Sequence, residues 1–158
     1  MGRTASGVRG IRLRAEDHVV GSAAIDADTD MMLTITDAGY GKRTEVSNFK
    51  RQGRGGQGIR AHRLSAARGR LLTGFLVDTD DDVLLITDGG VVMRTSVADI
   101  STQGRDATGV RVMAPGDGNK VAAVARVLPG EDEAEDGAET VDEPMDSDGD
   151  GAGDDGEV

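Results

Sequence analysis

Basic side chains beside glycine-rich stretches are the residues here whose types and spacing can do chemistry. Lys50, Arg51 and Arg54 stand among Gly53, Gly55, Gly56 and Gly58; Arg105 lies 51 residues after Arg54 and Arg3 lies 51 before it. A glycine-rich loop exposes backbone N–H groups, and a neighbouring cation makes that geometry suit phosphate oxygens. Arginine adds a planar fork that can bond an oxyanion at two points. Set side by side, such loops form a curved basic track, the arrangement that bends a duplex through its backbone. The competing reading is that each arginine bonds a loop carbonyl or a neighbouring aspartate. Lys42 is carried with the phosphate-contacting set, as is Arg60. Arg60 recurs with Arg9 and Arg111 just after a loop glycine, and either role suits it. Arg43 and Arg94 share a strand position, and ion pairs with Asp37 and Asp88 are the favoured reading for these two.

Other chemistry is poorly represented. Asp78, Asp80, Asp81 and Asp82 lack the ligand spacing of a calcium loop and read as a solvated turn. His18 and His62 have no paired ligands nearby in sequence, and there is no cysteine for a thiolate site or a disulfide. Tyr40, the only tyrosine, falls in a predicted strand and reads as a packing residue. With no nucleophile–base pair and no phosphate-binding P-loop, the chain is expected to be no enzyme on its own, without a cofactor or metal. Aromatics make up only 2% of the chain, too few for the stacking platforms that single strands and RNA require.

The elements that must position these loops repeat with a constant period of 51 residues. The stretches from Arg3 to Arg9, Arg54 to Arg60 and Arg105 to Arg111 open three copies, and Thr36-Asp37-Ala38-Gly39 matches Thr87-Asp88-Gly89-Gly90. Periods of roughly 20–50 residues belong to propellers, solenoids and arrays. The apolar runs predict strands at Val8–Leu13, Val19–Ile25, Met31–Thr36 and Tyr40–Val46 in the first copy. The second copy predicts Ile59–Leu64, Leu71–Val77, Val83–Thr87 and Val91–Val97; the third predicts Val110–Met113 and Val121–Val127. Asp-Gly between two apolar runs is a strong hairpin signal. Four short antiparallel strands per repeat is the layout of a propeller blade. The expected fold is therefore all-β: a partial β-propeller over residues 1–129, in repeats 3–53, 54–104 and 105–128. Two blades and part of a third do not close a ring, so the open end faces call for another chain, further sequence or self-association.

Charge divides the chain. Residues 1–130 carry all 18 bases against 15 acids, a formal +3, whereas residues 131–158 carry 14 acids and no base. A tail over 130–158 with that composition is expected to be disordered, because it has too little apolar surface to offset the entropy of ordering. Its carboxylates are expected to compete with DNA for the basic track, so deleting residues 130–158 should strengthen binding. An aspartate-rich body with 15 Arg and only 3 Lys also suggests adaptation to high intracellular salt. No apolar run approaches a membrane span and no signal peptide follows Met1, so a cytoplasmic location and no membrane partner are expected.

Several stretches then resemble a known family. Gly39-Tyr40-Gly41-Lys42-Arg43-Thr44, Arg54-Gly55-Gly56-Gln57-Gly58, Leu85-Ile86-Thr87-Asp88-Gly89-Gly90, Val92-Met93-Arg94-Thr95 and Ile100-Ser101-Thr102-Gln103-Gly104-Arg105 look like the last blades of the DNA gyrase A C-terminal domain. The resemblance covers about residues 1–128. It implies a module that wraps double-stranded DNA around a basic rim and supports ATP-dependent negative supercoiling. Its partners would be DNA, the rest of gyrase A, and gyrase B, with ATP and Mg2+ used by those other parts. Gln52-Gly53-Arg54-Gly55-Gly56-Gln57-Gly58 matches the family's wrapping box, Gln-Arg-Arg-Gly-Gly-Lys/Arg-Gly, at five of seven positions. Its flanks resemble a later blade, so the box itself is expected upstream of Met1. The corresponding domain of topoisomerase IV is the neighbouring alternative. A partial propeller that serves only protein interaction is the rival from another class.

Overall fold

Asp37-Ala38-Gly39 and Asp88-Gly89-Gly90 each reverse an apolar run, and two sheets are built around those hairpins. The computed structural model describes residues 3–26 and 30–128. Its strands are β1 (Met31–Thr36), β2 (Tyr40–Glu45), β3 (Leu71–Val77), β4 (Asp82–Thr87), β5 (Val92–Ser96), β6 (Val110–Arg111) and β7 (Val121–Val127). The expected tail lies outside the described residues.

One sheet runs β3-β1-β2-β6 and the other β5-β4-β7, with antiparallel pairing throughout. The internal repeat is visible in the register. Met31 faces Val77 across β1 and β3, Asp82 faces Val127 across β4 and β7, and each ladder slips after the matching isoleucine, Ile35 or Ile86. The 51-residue shift thus carries the β1–β2 hairpin onto β4–β5, and β3 closely onto β7.

That register corrects the expectation of one four-stranded blade per repeat. The first sheet takes its central hairpin from the first copy, β3 from the second and β6 from the third. The same rule explains three predicted strands that do not form. Val8–Leu13, Val19–Ile25 and Ile59–Leu64 contain no regular strand, only the isolated bridge between Ile11 and Gly56. By the 51-residue shift their partners would be hairpins one or two repeats before β1–β2, and no described residue stands there. Val8, Ile11, Leu13, Val19, Ile25, Ile59 and Leu64 are accordingly exposed. β6 is shorter than predicted, since only Val110 and Arg111 pair with β2.

Leu33, Ile35, Val77, Val83, Leu85, Val97, Ile100, Met113 and Val121 form one buried cluster joining both sheets. Burying a side chain of this size contributes about 1.5–3 kcal/mol. Gly109 shows how closely the third copy approaches the first: its φ is +75°, and a Cβ there would lie 2.7 Å from the Gly41 carbonyl oxygen. Only glycine accepts both constraints.

Candidate nucleic-acid interface

Backbone hydrogen bonds stitch the glycine-rich loops of successive repeats into layers. In the first layer Gly55 N–H donates to the Gly10 carbonyl and Arg12 N–H donates to the Gly56 carbonyl, both at 2.8 Å. In the second, Arg63 N–H donates to the Ala107 carbonyl at 3.1 Å, which is the Arg12–Gly56 bond moved on by one repeat. Arg54 and Arg105 therefore stand at equivalent ends of stacked loops, with Arg9 and Arg12 beside the first and Arg60 and Arg63 beside the second.

The two layers differ electrostatically. Asp106 pairs with Arg60 at 3.0 Å and with Arg63 at 2.7 Å. These two guanidinium hydrogen bonds hold its carboxyl below the usual aspartate range. Arg105 also turns inward, donating to the Arg60 carbonyl at 3.1 Å. Position 55, one repeat before Asp106, is a glycine. Among the described residues no carboxylate pairs with Arg9, Arg12 or Arg54, nor with Arg3, Lys50 or Arg51, and all six are exposed. Arg12, Arg14 and Arg60 line a shallow cavity of about 370 Å³ with Gln57 and Asp17. A phosphate fits such a site: fixed cations, loop glycines and open access.

Lys42 is corrected from contact residue to buried strut. Its side chain is fully buried and its ammonium donates to the carbonyls of Gly104 at 2.6 Å and Arg105 at 2.7 Å. Burial, opposed in part by Asp106, pushes its pKa down to about 8. Thr44 bonds the Gln103 carbonyl, so β2 holds the loop before β6 from two adjacent side chains. His62 completes the frame between Thr34 and Thr108. Its Nε2 lies 3.0 Å from the Thr108 carbonyl, which can only accept, so Nε2 carries the proton and Nδ1 accepts from the Thr34 hydroxyl. Burial holds this imidazole below the ordinary histidine pKa.

Arg43 and Arg94 are structural, but with other partners than expected. Arg43 donates to the carbonyls of Ile100 and Ala98, and Arg94 pairs with Asp82 at 2.6 Å. Asp37 instead accepts from Lys120 at 2.8 Å and from the Arg70 N–H at 2.7 Å. Burial works against its charge, and these bonds outweigh that and lower its pKa. Asp88 accepts from the Lys120 N–H. Tyr40 packs under Arg68 and Arg111 and accepts from Arg111 at 2.7 Å. The aspartate run is no simple solvated turn, because Asp81 is buried against Arg126 at 2.6 Å and also accepts from the Asp78 N–H. Among the described residues no cluster of three or more His, Asp or Glu could hold a metal ion.

The site residues named from sequence thus separate. Arg3, Lys50, Arg51 and Arg54 are exposed and meet no carboxylate among the described residues, Arg60 and Arg105 are tied into the second layer, and Lys42 is internal. Arg12, Arg14 and Arg63 were missed. The 51-residue offset joining Arg12 to Arg63 was the available signal.

Comparison with known proteins adds an independent line. The model of the DNA gyrase C-terminal domain, a β-propeller, matches residues 1–26, 30–77 and 81–127. The DNA gyrase A protein of Staphylococcus epidermidis (strain ATCC 12228) is 44% identical over 128 residues, covering 80% of this chain and 14% of that protein. Its counterpart in Staphylococcus aureus (strain MRSA252) is 42% identical over 145 residues, covering 90% and 16%. The chain therefore spans about a seventh of the length of these relatives. A solved DNA gyrase A C-terminal domain superposes with a TM-score of 0.70 at 27% identity, over 77% of this chain and 41% of that one. The C-terminal domain of DNA topoisomerase IV gives the same TM-score at 23% identity, over 77% and 38%, a likeness of fold alone.

Proposed function

This chain belongs to the DNA gyrase C-terminal domain family of β-propellers, and from that premise we propose that it binds and wraps double-stranded DNA as part of a gyrase A protein. The observation that carries the reading is the set Arg9, Arg12 and Arg54 on one stitched loop layer, which together with Arg3, Lys50 and Arg51 meets no carboxylate among the described residues. Cations held on hydrogen-bonded loops neutralise phosphates without reading base edges, so binding is indifferent to sequence and steeply salt-dependent. The chain contributes no chemistry of its own in this reading. Strand passage, ATP and Mg2+ belong to the rest of gyrase A and to gyrase B, its protein partners in the cytoplasm at the chromosome. With a body charge of only +3, wrapping in a salt-rich cell depends on many such contacts acting together. The acidic stretch over 130–158 competes for the same cations.

Fluorescence anisotropy with a labelled duplex across a salt series tests the binding. Affinity should fall steeply with salt and exceed that for a single strand of equal length. No binding even at low salt would leave the interaction-only reading. Grafting the chain onto a gyrase A protein that lacks its own C-terminal blades tests the wider role, with negative supercoiling as the readout.

A further inference from the structure

Tyr40 opens β2 with an arginine laid across its ring. The Arg68 guanidinium carbon stands 4.1 Å from the ring centroid, and Arg111, paired with Tyr40 across β2 and β6, donates to its hydroxyl at 2.7 Å. Both partners are fixed at the backbone. Tyr40 N–H donates to the Thr36 hydroxyl at 3.1 Å. Arg68 closes the short 3-10 turn Ala66–Arg68, and just beyond it the chain is tied to the β1–β2 turn from both sides. Asp37 N–H donates to the Arg70 carbonyl at 2.9 Å, and Arg70 N–H donates to the Asp37 carboxylate at 2.7 Å. Between Arg68 and Arg70, Gly69 has φ +76°, and a Cβ there would strike the Asp37 carboxylate and the Ala38 backbone.

The turn itself does not require arginine. Arg68 N–H donates to the Ser65 carbonyl at 3.0 Å, and the 51-residue shift reproduces that bond as Asp17 to Arg14 at 3.2 Å and as Asn119 to Gly116 at 3.3 Å. An acid, a base and an amide thus close the same turn. Nor does the hairpin require tyrosine, since Val91 holds the position of Tyr40 in the second copy and β4 still pairs with β5. The meeting of arginine with tyrosine is therefore particular to one hairpin, and neither element demands it.

A guanidinium stacked on an aromatic face keeps its in-plane N–H edge free, the edge that forks onto a phosphate. Stacking also removes rotamers before any ligand arrives, so less freedom is lost on binding. Among the described residues the Arg68 guanidinium meets the ring and no hydrogen-bond acceptor, and Asp37, the carboxylate on the adjoining turn, is taken by Lys120 at 2.8 Å. We propose that Arg68, held on Tyr40, takes a backbone phosphate of the duplex, as a contact separate from the glycine-rich loop layers. The second layer is anchored to β2 at Lys42 and Thr44, whereas Tyr40 begins the strand, so this contact is displaced toward the hairpin turn. It rests on the DNA-wrapping reading and adds a point of grip to it.

Fluorescence anisotropy of a labelled duplex with the full chain, across a salt series, tests the contact. Arg68→Asn and Tyr40→Val install residues that other copies already carry, so the turn and the hairpin are kept. Arg68→Asn should weaken binding several-fold at low salt and lower the slope of log affinity against log salt by about one. Tyr40→Val removes no charge, yet it should also weaken binding, and Arg68→Asn should cost less in that background than in the parent. An unchanged slope in Arg68→Asn overturns the phosphate contact, and equal losses in both backgrounds overturn the role of the ring. Arg54→Ala is run alongside. A parent chain that binds, responds to Arg54→Ala and ignores Arg68→Asn overturns this contact and leaves the wrapping reading standing. A parent chain that binds no duplex at any salt overturns both.

Discussion

Asp106 and Gly55 occupy the same position in successive repeats, and the difference between them decides which loop arginines are neutralised. In the second layer Arg60 and Arg63 converge on the Asp106 carboxylate; in the first, Arg9 and Arg12 stand beside a glycine that offers no charge. Asp106→Asn should release Arg60 and Arg63 and tighten duplex binding several-fold at low salt. The slope of log affinity against log salt should steepen by about one or two. Anisotropy titrations at four or five salt concentrations read both quantities, and an unchanged slope would show that those two arginines face no phosphate.

Arg54 and Arg111 provide a contrast on the same chain. Arg54 is exposed and meets no carboxylate among the described residues, whereas Arg111 packs on Tyr40 and bonds its hydroxyl. Arg54→Ala should weaken binding evenly across DNA sequences and lower the salt slope by about one, leaving Tm within a degree or so. Arg111→Ala should lower Tm instead, because it loses a hydrogen bond and an aromatic contact.

Lys42 is best tested with the residue that the next repeat already carries there, Met93. Lys42→Met keeps the bulk but leaves the Gly104 and Arg105 carbonyls without their donor, at a cost of roughly 2 kcal/mol. Amide exchange at residues 104–106 should accelerate more than exchange in β1. The folded-state pKa of about 8 lies below the unfolded value, so the parent should gain stability as pH rises from about 8 toward 10.4. The Met variant should lose that gain.

His62 makes the opposite end of the pH range informative. Its folded pKa is depressed by burial, so the unfolded chain binds the proton first. Stability contributed by the neutral ring is present above about 6.5 and declines as pH falls through the depressed folded value. Denaturant unfolding of the parent and of His62→Gln should diverge in slope across that window. Parallel curves would mean that the ring accepts a proton in place.

Much of the fold was legible because the repeat is local in sequence. Met31–Thr36, Leu71–Val77 and Val121–Val127 were bounded correctly, and the turns at Asp37-Ala38-Gly39 and Asp88-Gly89-Gly90 fell where the chain reverses. Pairing across repeats was not legible. Nothing in Val110-Arg111 itself says that its partner is Tyr40-Gly41 and not a neighbour in its own repeat. The strands misjudged at Val8–Leu13 and Ile59–Leu64 have the right composition but pair with no hairpin among the described residues. At the site, charge and glycine content singled out Arg54 and Lys42 alike, yet only Arg54 is exposed. Whether a cation points into water or into a cage of carbonyls depends on strand register, and a single sequence does not print register.

The interleaving of strands also shapes how this chain must acquire its structure. In an array whose units touch only adjacent units, folding starts anywhere and spreads, and one end can fray while the other persists. Here the first sheet is incomplete until β6, from the third copy, reaches β2 in the first. No single 51-residue unit contains all the strands of its own sheet, so none is expected to hold its shape when excised. The ladder that joins the most distant strands closes a long loop before any of its bonds form, which slows the search for the native topology. Melting should then be a single cooperative transition, and disrupting β6 by Val110→Pro should loosen β2, far earlier in the chain.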